Sequence, residues 1–153
     1  MDKLITIRQC DLAELWAQPN IDDLLGQYAR ESAIDGLPVP QPDREGYALL
    51  EKVGALTVIC AFRGSELIGL IAMVVSRNPH YSARIAVVES FFVAEDARYT
   101  GAGLKLLQEA EFIARTLEAV GMFVSAPVGS RLERVLPGRG YRETNRAFFR
   151  GLI

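Results

Sequence analysis

The spacing of apolar residues changes several times along this chain, and the changes mark its elements. After a short β-prone start over residues 4–8, Asp11 stands where a helix cap would, ahead of Leu12 and Trp16, and Pro19 interrupts that helix. Asn20 is a second cap position, followed at helical spacing by Ile21, Leu24, Leu25 and Tyr28. One glycine and three prolines over residues 36–42 make an irregular connection, after which Tyr47, Leu50 and Val53 mark a further helix.

The period then shortens. Residues 56–62 and 67–75 are rich in Val, Ile and Leu, and Arg63-Gly64-Ser65-Glu66 between them suits a tight reversal, so the pair predicts an antiparallel hairpin. A polar loop, Asn78-Pro79-His80-Tyr81-Ser82, leads into a strand over residues 85–93 whose apolar run is broken at Glu89. Past Gly103 the spacing is helical again: Leu106, Ala110, Ile113 and Leu117 share one face, with Lys105, Glu109 and Arg115 turned to water. A strand over residues 122–126 stops at Pro127, Leu132, Val135 and Leu136 give a short helix, and residues 141–152 read as an outer strand. This order predicts an α+β fold, a mixed sheet with helices on it rather than a doubly wound one.

Composition narrows the class. The 153 residues fit one domain spanning 1–153, half apolar and about a quarter charged, as in soluble globular proteins. The formal net charge is -2, and no basic tract or arm marks a nucleic-acid surface. Cys10 and Cys60 stand alone without CxxC spacing, which predicts reduced thiols and no metal site. No secretory pattern follows Met1, so a cytoplasmic setting is expected. The longest apolar run, residues 67–75, is far short of the roughly 20 residues that span lipid, so no membrane-spanning helix is expected.

The most informative stretch is Arg98-Tyr99-Thr100-Gly101-Ala102-Gly103, between a strand and an apolar helix. The alternate glycines permit unusual backbone angles and close approach, and the unpaired N–H groups of a helix's first turn favour an anion such as pyrophosphate. Arg98 and the Thr100 hydroxyl would add donors. The plainer alternative is that Gly101 merely opens a helix and Gly103 lets it pack closely. Neither the nucleoside-triphosphate loop nor the three-glycine dinucleotide fingerprint is present.

Glu89-Ser90-Phe91-Phe92-Val93, a linker, and Arg98-Tyr99-Thr100-Gly101-Ala102-Gly103-Leu104 resemble the acetyl-coenzyme A signature of the GNAT superfamily of N-acetyltransferases. The resemblance runs from about residue 56 to the end. It implies a three-layer α/β/α fold with a mixed, mostly antiparallel central sheet. It also implies acetyl-CoA as acyl donor without a metal, and a small-molecule or protein amine as acceptor. The backbone at Phe92 and Val93 would pair with the pantetheine arm where two parallel strands diverge, and the N–H groups from Arg98 to Leu104 would enclose the pyrophosphate. Tyr28, Glu31 and Tyr81 would line the acceptor side.

Glu89 is the candidate general base, because a carboxylate flanked by apolar groups has its pKa raised toward usefulness, and members of the family often carry glutamate in this strand. Four residues before Val93, it shares a face with Val93 by simple strand alternation. Its alternative is an outward glutamate paired with an arginine. The tyrosine that many members use as proton donor falls in register on Leu136, which has no proton to give. Ser130 or Ser125 through water, Tyr141 from another direction, or an unassisted thiolate are the replacements. His80, the lone histidine, is a candidate base or substrate contact. An outer strand through Arg146-Ala147-Phe148-Phe149 would expose apolar side chains, so a homodimer is expected. The competing reading is a catalytically silent acetyl-CoA-binding or protein-interaction domain of the same fold.

Overall fold

A computed structural model describes residues 4–153. Five strands form one sheet in chain order: β1 (Ile5–Cys10), β2 (Leu56–Arg63), β3 (Glu66–Asn78), β4 (Ala83–Val93) and β5 (Met122–Phe123). The first four pair antiparallel and β4 pairs parallel with β5, which gives the mixed, mostly antiparallel sheet that the sequence predicts. The β2–β3 hairpin turns on Gly64, whose φ of 64° lies in the left-handed region that glycine adopts without strain. Its strands carry the deepest side chains, with Ile59, Leu67, Ile68, Ile71 and Met73 fully enclosed.

The helices divide between the two faces. On one lies α4 (Ala102–Thr116), whose apolar stripe of Leu106, Leu107, Ala110 and Ala114 is buried. On the other lie α1 (Leu12–Trp16), α2 (Ile21–Ser32) and α3 (Arg44–Lys52). Asp11 caps α1 by accepting the Glu14 N–H at 2.8 Å, and Asp43 caps α3 through the Gly46 N–H at 3.1 Å. Asn20 precedes α2 but does not cap it. Its amide donates to the Leu67 carbonyl at 2.8 Å and ties α2 to the start of β3.

Two expectations at the carboxyl-terminal end are corrected. The strand predicted over residues 122–126 keeps only Met122 and Phe123, because the backbone leaves β4 there. The outer strand predicted over residues 141–152 does not form. A short α5 (Arg131–Val135) runs into a 3₁₀ turn, Leu136–Arg139, and no backbone group of residues 142–153 pairs with backbone elsewhere among the described residues. Strand propensity alone does not make a strand without a neighbour to complete the ladder. Phe148 and Leu152 stand about nine-tenths exposed, while Phe149 packs against Gly36 in the α2–α3 connection.

Candidate active site

The site is built where β4 and β5 part. Only Ala86 with Met122 and Val87 with Phe123 are paired, so β4 continues to Val93 with its outer edge uncovered. Opposite β3 the ladder shifts register: Ala72 faces Ser90 and Met73 faces Val88, leaving Glu89 as the extra residue of a β-bulge. The bulge corrects the simple alternation that put Glu89 and Val93 on one face. Val93 lies against Gly103 on the α4 side, whereas Glu89 lines a cavity on the opposite side with Ser90, Ala72 and Leu70.

Hydrogen-bond alternation fixes which backbone groups the open edge presents. Ala94 donates to the Ile68 carbonyl, so Ala94, Phe92 and Ser90 turn their backbone groups to β3, and Phe91 and Val93 turn theirs outward. Phe92 is therefore corrected as a backbone partner for a bound chain. Its ring is buried and stacks on Tyr28 at 5.2 Å, and the outward backbone groups are those of Phe91, which the sequence reading passed over, and Val93. The Phe91 N–H donates to the Tyr28 hydroxyl at 3.2 Å, and the Val93 carbonyl accepts from Arg98 Nε at 3.1 Å. The Phe91 carbonyl and the Val93 N–H have no protein partner among the described residues.

The glycine turn follows a 3₁₀ turn at Glu95–Ala97. Gly101 caps α4 with φ 83°, and a Cβ there would point into open space. Thr100 serves the turn itself: its hydroxyl donates to the Ala97 carbonyl at 2.6 Å and accepts the Ala102 N–H at 3.2 Å, so it has no proton left for an anion. The Gly103 and Leu104 N–H groups have no protein acceptor among the described residues and carry the positive end of α4. Arg98 is also engaged, since its guanidinium pairs with Glu31, which thereby belongs to the turn and not to the cavity. Tyr99 is exposed under Arg131, and Ala102 is buried in the core. A diphosphate fits this donor set: backbone N–H groups at a helix start beside a partly engaged arginine.

The cavity of about 210 Å³ lies between the sheet and α1–α3. Tyr28 lines it while its hydroxyl reaches the open edge of β4, so this one side chain joins cavity and opening. Tyr47 and Trp16, both missed from the sequence, are also in its wall. The Tyr47 hydroxyl lies 3.5 Å from that of Ser90, next to Glu89, and burial above all raises its pKa and keeps it protonated. The apolar spacing around Tyr47 gives helix and core alone, so nothing in the sequence singled it out.

Other candidates fall elsewhere. Ser130 caps α5 by accepting the Glu133 N–H at 3.2 Å. Tyr141 donates to Glu111 of α4 at 2.8 Å, and burial followed by the neighbouring carboxylate pushes its pKa well up, a poor disposition for a proton donor. His80 and Tyr81 lie in the loop before β4, whose first residue, Ala83, is already six residues from Glu89 along a strand that rises about 3.3 Å per residue, and neither lines the cavity. Leu136 is buried in the core.

A family model described as "Acetyltransferase (GNAT) family" matches residues 20–130. The chain belongs to the GNAT family of acetyltransferases. Solved structures share the fold at low identity. An aminoglycoside acetyltransferase from an uncultured soil metagenomic sample is 16% identical, with 97% of each chain covered and a TM-score of 0.74. A ribosomal-protein-alanine N-acetyltransferase from Brucella melitensis biovar Abortus 2308 is 18% identical, over 95% of this chain and 96% of that one, with a TM-score of 0.69. Glucosamine-6-phosphate N-acetyltransferase from Arabidopsis thaliana is 10% identical, over 99% and 100%, with a TM-score of 0.75. No curated protein matches the chain. The GNAT acetyltransferase fold thus arrives with neighbours whose acceptors differ in kind.

Gly101→Val tests the turn. The left-handed φ strains a β-branched residue by about 1–3 kcal/mol, and its side chain would enter the open space in front of α4. Calorimetry is expected to show acetyl-CoA affinity reduced roughly 10- to 100-fold, the equivalent of one charge-assisted hydrogen bond. Unchanged affinity in a folded variant would remove the turn from the site.

Proposed function

We propose that this GNAT chain is an acetyl-CoA-dependent N-acetyltransferase that modifies a primary amine, of a small molecule or a protein, held in the cavity beside Glu89. The observation that carries this reading is the junction at Phe91. There the uncovered edge of β4, the Tyr28 hydroxyl and the cavity containing Glu89 meet within one bulged strand segment.

When bound, acetyl-CoA supplies an acetyl group activated as a thioester. The Phe91 carbonyl and Val93 N–H are the groups on β4 that would hold its pantetheine arm in strand-like pairing, and Gly103 and Leu104 the donors for its diphosphate. Glu89, directly or through one water, takes the proton that the acceptor ammonium must lose before its nitrogen can attack. Tyr28 holds a proton at Oη, accepts from the Phe91 N–H, and can pass that proton to the departing sulfur. It fills the role for which Leu136 has no chemistry.

Glu89→Gln is expected to lower kcat/KM about 10²- to 10⁴-fold, with acetyl-CoA affinity intact. The loss should be greatest at low pH and shrink as pH rises toward the amine's pKa of about 10, where the acceptor arrives already deprotonated. Tyr28→Phe should keep the stack on Phe92 and lower kcat. Superimposable pH profiles for wild type and Glu89→Gln would exclude Glu89 as the base. Tight acetyl-CoA binding with no thiol release on any amine would establish the silent binding domain instead.

The chain is further proposed to pair with a second copy through residues 142–153, whose backbone groups have no backbone partner elsewhere among the described residues and whose Phe148 and Leu152 face water. Light scattering should give twice the 16.9 kDa chain mass, and deletion of these residues should return the single mass. The single mass at every concentration of the full chain would overturn the pairing.

A further inference from the structure

Glu89 is the one charged residue among those that line the cavity. Most of the rest of the wall is apolar or aromatic: Leu12, Leu15 and Trp16 from α1, Leu25 and Tyr28 from α2, and Pro40 and Pro42 from the connection to α3. Of its uncharged polar residues, Tyr47 and Ser90 lie beside Glu89 with their hydroxyls 3.5 Å apart, and Ser32 and Gln41 also line the wall, so the cavity has one charged end and a mainly apolar body. Outside it, the Arg44 guanidinium lies 4.6 Å from the centre of the Trp16 ring and places a positive charge behind the α1 wall.

We infer that the acceptor is a monoamine with an apolar body of about phenyl or branched-alkyl size, its single ammonium directed at Glu89. This rests on the acetyltransferase reading and narrows it. A polycation would set its remaining ammonium groups against Trp16, Leu15 and Leu25 with no carboxylate to pair them, and would meet the like charge of Arg44. A phosphorylated amino sugar would find no lysine or arginine in the wall and would face Glu89 with its own negative charge. An apolar body instead removes the leucine, tryptophan and proline surfaces from water, with one ion pair at the polar end.

Trp16 makes the inference measurable without turnover, since it is the sole tryptophan of the chain and stands in the cavity wall. Its fluorescence, excited where phenethylamine does not absorb, is titrated with propylamine, butylamine, pentylamine, hexylamine and phenethylamine, and with spermidine and kanamycin for comparison. Affinity is expected to rise about 4-fold for each added methylene and to be high for phenethylamine. Spermidine and kanamycin should bind at least ten times more weakly. Thiol release from acetyl-CoA over the same amines should follow the same order. Equal or tighter binding of the polyamines, a flat alkylamine series, or no response of Trp16 to any amine overturns the inference. Thiol release confined to spermidine or kanamycin likewise overturns it, though the acetyltransferase reading then stands. Monoamines that bind in the expected order without thiol release uphold the cavity's preference for apolar monoamines and refute acetyl transfer.

Discussion

Parallel pairing between β4 and β5 lasts for two residues, and the rest of the site depends on where it stops. Beyond Val87 the outer edge of β4 has no strand to satisfy it, and open backbone edges are stable only when something else occupies them. Tyr28 and Arg98 occupy part of this one, through the Phe91 N–H and the Val93 carbonyl. What they leave free is a short alternating set of acceptor and donor, suited to an extended amide-bearing arm. The bulge at Glu89 belongs to the same departure, because the extra residue bends β4 away and turns the carboxylate into the cavity.

The two faces of the sheet then take separate work. On the α4 face, the helix start at Gly103 lies against Phe91 and Val93, and the helix delivers free N–H groups to the end of the opening. On the other face, α1, α2 and α3 enclose the cavity that Glu89 lines. Arg98 ties the two together. It holds the end of β4, lies 5.5 Å from the centre of the Phe92 ring and pairs with Glu31 of α2, so the glycine turn and the cavity's helical wall are braced by one side chain. A guanidinium suits that place, since its fork serves a carbonyl and a carboxylate at once.

Much of this was legible in the sequence, for identifiable reasons. The hairpin, the long helix after Gly103 and the break at Glu89 follow from hydrophobic period alone, because burial on one face imposes that period. The glycine turn was legible from its context between a strand and a helix. What escaped was decided by long-range partners. Tyr28 was placed on the acceptor side, but its bond to Phe91, 63 positions away, has no local signature. Tyr47 looks like an ordinary core tyrosine until α3 folds over Ser90. Ser130 and Tyr141 carry suitable hydroxyls, yet a helix cap and Glu111 already claim them. The bulge reversed the alternation argument for Glu89, since one extra residue moves every later side chain to the other face.

The central claim is that acetyl-CoA lies along the uncovered edge of β4 with its diphosphate at the start of α4. Residue-resolved amide exchange, with and without saturating acetyl-CoA, tests it most directly. The account predicts marked slowing at the Val93, Gly103 and Leu104 amides, which have no protein acceptor among the described residues, with little change along β1 and β2. Unaltered exchange at those three amides, with protection appearing instead around the α1–α3 cavity, would contradict it.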